Sequence, residues 1–63
     1  MSKERRIAIK MLTDAGYILK RHGANHDDYF NSALRKSISL KRHGVNQNTL
    51  RYIKNEIQQN AGL

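Results

Sequence analysis

The chain has 63 residues, and its twelve lysines and arginines outnumber five acidic residues to give a formal net charge of +7. This length allows one domain with a small core, and the absence of cysteine excludes disulfides and thiolate metal sites. So large a surplus in so small a domain favours a polyanionic partner, with nucleic acid ahead of an acidic protein.

The first predicted element is a helix that ends at about Ala15. Ser2 can cap its N-terminus, and Glu4 lies in the first turn, where the helix dipole favours an acidic side chain. Gly16 follows as a left-handed C-cap. Apolar residues recur at helical spacing and form one stripe, made of Ile7, Met11, Leu12 and Ala15.

Three strands are predicted next. Residues 17–21 are short and rich in β-forming residues, Gly23-Ala24 supplies a turn, and residues 25–30 can return antiparallel to the first strand. Residues 36–41 alternate strictly between polar and apolar side chains, so they are the clearest strand.

A second helix is predicted after Asn46, its N-cap, with Val45 and Leu50 at the positions of a hydrophobic staple. The order helix-strand-strand-strand-helix predicts an α+β fold, in which two helices cover one face of a three-stranded antiparallel sheet. All 63 residues form one predicted domain. The predicted core consists of Ile7, Met11, Leu12, Leu19, Ile38, Leu40, Leu50, Ile53 and Ile57.

The two-residue period of a strand assigns side chains to the faces of this sheet. If Tyr29 points inward from the second strand, then His26, Asp28 and Phe30 share the open face. A slip of one residue would bury His26 and Phe30 instead.

The turn from Arg21 to His26 is the first candidate for a functional site. A neutral imidazole accepts a proton and an imidazolium donates one near pH 7, and we expect His26 to be this group. The competing interpretation is a surface or capping histidine. His22 could serve only to bind phosphate, and His43 is better explained by strand-end packing or a hydrogen bond at the helix entry.

Cationic side chains of the first and third strands could neutralise phosphates without reading bases. Phe30 is the one aromatic residue that we expect to stack on a base, while the three tyrosines are predicted in or near the core. Asp27 and Asp28 point to opposite faces of a strand, and no specific ligand pattern occurs, so no metal site and no cofactor are predicted. The predicted nucleic-acid contacts are Lys20, Arg21, His22, Asn25, Lys36, Lys41 and Arg42.

Much of the chain, from about Ile7 to Ile57, resembles the HicA-type mRNA interferase toxins, the YcfA-like family. The stretches that carry the resemblance are Leu12–His26, Arg42-His43, Asn46 and Thr49–Ile53. The family's catalytic histidine follows a small polar residue after the hairpin glycine, and His26 after Asn25 matches that place. The chain has Ala24-Asn25-His26 where the family commonly has Gly-Ser-His.

The resemblance implies a double-stranded-RNA-binding-like fold and metal-independent RNA cleavage by a toxin of a type II toxin–antitoxin system, neutralised by a HicB-type antitoxin. His26 would abstract the proton of a ribose 2′-hydroxyl or protonate the leaving oxygen. We expect the antitoxin to present acidic groups to the basic face and to cover His26. The alternatives are a non-catalytic RNA-binding module and a protein-interaction domain whose basic face serves only an acidic antitoxin.

The remaining expectations concern location. Charged residues open the chain with no apolar segment behind them, and no apolar run is long enough to span a membrane. We therefore expect no secretory signal, no membrane association and a cytoplasmic protein.

Overall fold

The computed structural model describes residues 2–63. Its elements are α1 (Lys3–Asp14), β1 (Ile18–His22), β2 (His26–Asn31), β3 (Lys36–Lys41) and α2 (Gln47–Asn60). The strands form one antiparallel sheet in the order β1-β2-β3, so β2 is central. This arrangement confirms the predicted order of helix, three strands and helix.

The helix ends are set by the residues predicted for them. The Ser2 hydroxyl oxygen accepts a hydrogen bond of 3.1 Å from the backbone N–H of Arg5 and caps α1. Gly16 follows α1 with a φ of +92°, a conformation that side chains with a Cβ rarely adopt. Asn46 caps α2 and forms a capping box with Thr49, so both ends of that first turn are hydrogen-bonded.

The core lies between the helices and the covered face of the sheet. α1 packs against α2, and α2 packs against β3. Of the predicted core residues, Met11, Leu50 and Ile57 are only partly buried and pack at the margin. The fully buried apolar residues are Ala8, Leu12, Tyr17, Tyr29, Ile38, Leu40 and Ile53.

Two of the predicted core positions are wrong, because Ile7 is 36% exposed and Leu19 is 49% exposed. The buried stripe of α1 runs through Ala8 and Leu12, one residue further round the helix than the predicted stripe, and this turns Ile7 toward the margin. Leu19 lies on β1, an edge strand whose five residues are all exposed, so neither helix covers it.

The register of the sheet confirms the predicted faces. Tyr29 pairs with Ile38 on the covered face, whereas Asp28 pairs with Ser39 on the open face. His26 and Phe30 lie on the open face with Asp28, because each is two residues away from it along β2. A β-bulge between Leu19 and Arg21 shifts the register of β1 against β2.

Candidate functional site: a cleft at the start of β2

His26 is the first residue of β2 and its side chain is exposed. Its cross-strand partner on β3 is Lys41, and side chains directly opposite each other in a sheet have Cβ atoms about 5 Å apart. The side chains of a histidine and a lysine therefore start next to each other at one end of the open face. Such a pair can hold an anion and exchange a proton with it.

The two residues border a cleft of about 490 Å³ between the end of the sheet and the beginning of α2. This volume falls in the range of small-ligand pockets and suits a nucleotide unit. The sheet side of the cleft is formed by β2 and β3, and the helix side by α2 and its N-cap. The lining residues are His26, Ser39, Lys41, Asn46, Asn48, Thr49 and Tyr52.

The hairpin turn before His26 is held by backbone contacts. The N–H of Gly23 donates a hydrogen bond of 3.0 Å to the carbonyl oxygen of His26. A Cβ at position 23 would lie 2.6 Å from that oxygen, so only glycine fits here. The backbone N–H of Arg42 donates a hydrogen bond of 3.0 Å to the carbonyl oxygen of Asn25. The side chain of Arg42 donates another, of 2.8 Å, from Nη1 to the carbonyl oxygen of Gly23. Contacts from the residues that follow β1 and β3 therefore fix the backbone that carries His26.

Under the hairpin, on the covered face, the carboxylate of Asp27 is only 2% exposed. Arg5 of α1 donates a hydrogen bond of 2.6 Å from Nη2 to Asp27 Oδ2 and another of 2.6 Å from Nη1 to the carbonyl oxygen of Lys41. Arg42 Nε lies 3.8 Å from Oδ1 of the same carboxylate. A buried carboxylate needs such cationic partners, and this one joins α1, the hairpin and the end of β3.

His22 belongs to this cluster under the hairpin and not to the cleft. Its Nδ1 lies 2.7 Å from Asp27 Oδ1, although among residues 2–63 no donor meets that oxygen with hydrogen-bond geometry. The two residues are paired across β1 and β2, so the imidazole of His22 lies on the covered face while that of His26 lies on the open face. The two histidines therefore serve different surfaces of the sheet.

Three further predicted contacts lie on the open face or at the hairpin tip. Lys20 places its Nζ 4.3 Å from the centre of the Phe30 ring, so a cation–π contact occupies the aromatic face expected to stack on a base. Arg21 pairs with Asp28 across the strands, and Asn25 is exposed in the turn. Lys20 and Arg21 therefore place cationic side chains on β1, beyond the cleft.

The other predicted contacts are placed elsewhere. Lys36 pairs with Asn31 at the far end of the β2–β3 hairpin, five residues along β3 from Lys41. Arg42 is engaged with the hairpin and the buried carboxylate, as described above. His43 follows β3, is exposed and does not line the cleft.

The helix side of the cleft was missed by sequence reasoning. Tyr52 was expected in or near the core, but it is 47% exposed and lines the cleft. Partial burial, and secondly the carboxylate of Glu56, raise the pKa of Tyr52 above its usual value of 10.0. The one available signal was its position outside the apolar stripe of α2, which faces the core through Ile53.

Asp27 was also missed, although its position gave a signal. It shares a face of β2 with Tyr29, and a carboxylate pointing inward requires a cationic partner.

No helix in the described part of the chain is long and apolar enough to cross a membrane. Within residues 2–63, no three or more histidine, cysteine, aspartate or glutamate side chains come together as metal ligands. Comparisons with protein-family models, with curated proteins and with solved structures each find no match.

Proposed function

We propose that the protein is an endoribonuclease toxin of the HicA type, with His26 as a proton-transfer group. The observation that carries the proposal is the exposed His26, which pairs with Lys41 of the neighbouring strand and lines a cleft of nucleotide size together with it. The resemblance in sequence and the double-stranded-RNA-binding-like order of elements support the same proposal.

The charge of the chain supports RNA as the substrate. The formal net charge is +7, and lysine and arginine side chains near the cleft can bind phosphates independently of sequence. Lys41 stands next to His26, so a phosphate held by its ammonium group would be within reach of the imidazole. Arg21 and Lys20 would bind further phosphates of the RNA along the open face.

The reaction that suits these groups is attack by the ribose 2′-hydroxyl on the neighbouring phosphorus. An imidazole can take or give a proton in this step, while the lysine offsets the charge of the phosphorane. DNA lacks the internal nucleophile, so the protein would cleave RNA and bind DNA without cutting it.

The proposed partner is a HicB-type antitoxin, and the proposed location is the cytoplasm, where the mRNA substrate lies. An antitoxin with acidic groups facing the open face would associate rapidly and in a salt-sensitive way. By covering His26 it would block the cleft directly.

The test is cleavage of a single-stranded RNA by the purified protein in the presence of a chelator. Removing general acid–base help costs about a hundredfold or more, so His26→Ala should lose at least that much of the cleavage rate. His43→Ala is the matched control, because this exposed histidine lies outside the cleft, and its rate should stay near that of the wild type.

Circular dichroism would confirm that both variants are folded. A folded His26→Ala variant that cleaves at the wild-type rate contradicts the proposal. A wild-type protein that binds RNA in a salt-dependent way but never cuts it would instead be a non-catalytic RNA-binding module.

A further inference from the structure

RNA cleavage by the 2′-hydroxyl needs two proton transfers, one from the attacking oxygen and one to the departing 5′-oxygen. In an in-line displacement these two oxygens lie on opposite sides of the phosphorus. The two proton-transfer groups must therefore approach the phosphate from different sides. His26 and Lys41 are adjacent on the same sheet surface, so together they serve one side.

The remaining residues that line the cleft offer few groups that could serve the other side. The Ser39 hydroxyl donates a hydrogen bond of 3.0 Å to Asp28 Oδ1, and the Thr49 hydroxyl is engaged with Asn46 in the capping box. Asn46 and Asn48 carry amides, which do not give up a proton. Tyr52 remains, and within the described chain its hydroxyl has no hydrogen-bond partner.

We propose that Tyr52 protonates the leaving 5′-oxygen, and that His26 consequently acts as the base. This inference rests on the proposed function and completes its chemistry. The tyrosine belongs to α2 and the histidine to β2, so the two side chains can approach a bound phosphate from different elements of the cleft. The phenol is also exposed enough to meet a substrate, since 47% of the residue is accessible.

The electrostatic surroundings agree with this assignment of roles. Partial burial, and secondly the Glu56 carboxylate on the same helix, raise the pKa of the Tyr52 phenol, and His26 and Lys41 line the same cleft. A phenol that keeps its proton at neutral pH can donate it but cannot act as a base. A neutral imidazole has a ring nitrogen that can accept the proton of the 2′-hydroxyl.

The step then balances. The neutral imidazole of His26 takes the 2′-hydroxyl proton as the bond from the 2′-oxygen to phosphorus forms. The bond from phosphorus to the 5′-oxygen breaks, and that oxygen takes the proton of the Tyr52 hydroxyl. The products are a 2′,3′-cyclic phosphate and a 5′-hydroxyl, and the imidazolium returns a proton to the phenolate through solvent. Lys41 holds the non-bridging oxygens throughout.

The experiment compares Tyr52→Phe with the wild type on two RNA substrates. One has the ordinary 5′-oxygen at the cleavage site, and the other has sulfur in that bridging position. A thiolate leaves without being protonated, so the second substrate does not need the acid. We expect Tyr52→Phe to lose about a hundredfold on the ordinary RNA and to match the wild type on the sulfur-bridged RNA.

His26→Ala should lose activity on both substrates, because both need the base. Tyr17→Phe is the matched control, since it removes a phenol that lies outside the cleft and is hydrogen-bonded to Asn60 at 2.9 Å. Its cleavage rates should be unchanged at temperatures where circular dichroism shows it folded.

The outcomes separate the two proposals. If the wild type cleaves RNA and Tyr52→Phe cleaves each of the two substrates as fast as the wild type does, Tyr52 is not the acid. An equal loss on both substrates would mean that Tyr52 binds or positions the RNA, and this also overturns the inference. A wild type that cleaves neither substrate removes the proposed function and the inference with it.

Discussion

The buried carboxylate of Asp27 provides a test of how the His26 hairpin is held. Asp27→Asn keeps the shape of the side chain but removes the negative charge that faces Arg5 and Arg42. A hydrogen bond to a charged group contributes about 1.5–3 kcal/mol, and breaking one side of a fully buried pair costs about 3–5 kcal/mol. The Arg5 side chain is 16% exposed and that of Arg42 is 33% exposed, so both regain some hydration. We therefore expect a loss of roughly 2–3 kcal/mol, below the figure for a fully buried pair.

Such a loss is large for a domain of this size, whose total stability should be roughly 3–9 kcal/mol. In urea, with a slope of about 1 kcal/mol per molar, the unfolding midpoint should fall by about 2–3 M. Asp28→Asn is the matched control, because the neighbouring carboxylate lies on the open face and is only half-buried. Its effect should stay below about 1 kcal/mol. Equal midpoints for the two variants, measured by circular dichroism, would refute the assigned role of Asp27.

Two further predictions concern stability. Burial, and secondly the Asp27 carboxylate, raise the pKa of Tyr29 above 10.0 against the opposing charge of Arg5, so the native state keeps a proton that the unfolded chain loses. The free energy of unfolding should therefore fall above about pH 10, by at most about 1.4 kcal/mol per pH unit from this group. Urea titrations should show a smaller fall for Tyr29→Phe. Equal slopes of the free energy against pH for the variant and the wild type would contradict this. Gly16→Ala should lower the free energy of unfolding by about 2 kcal/mol or more, and Gly44→Ala by about 1 kcal/mol. Both glycines have a positive φ, but only a Cβ at position 16 would also lie 3.0 Å from the Asn31 amide nitrogen. Thermal unfolding that ranks the glycine variants in the opposite order would show this packing argument to be wrong.

Much of the fold follows from local signals in the sequence. Ser2, Gly16 and Asn46 mark helix ends through interactions with their own neighbours, and the alternation in β3 assigns Ile38 to the covered face. These features depend on a few consecutive residues, so the sequence displays them directly.

The misplaced core residues depend on how the elements pack. The choice between Ile7 and Ala8 depends on the rotation of α1 against α2, and both residues fit an apolar stripe. Leu19 has the pattern of an inward residue, but its strand lies at the edge of the sheet beyond the reach of the helices. Neither fact is encoded within a local window of sequence.

The candidate site divides in the same way. The open-face position of His26 follows from the two-residue period once Tyr29 points inward, and this was predicted. The arrival of Tyr52 opposite His26 depends on where α2 packs against β3, and 26 positions of sequence separate the two residues. Only the three-dimensional arrangement brings them together.

The outer edge of β1 has a consequence for self-association. An edge strand has unpaired backbone groups that can pair with another chain, and Ile18 and Leu19 are exposed beside them. The bulge interrupts this edge, and two copies aligned antiparallel about Lys20 would bring cations against cations. Added salt should therefore act in opposite directions at two surfaces: it should weaken the proposed phosphate binding at the cleft and relax the repulsion that separates the β1 edges of two molecules.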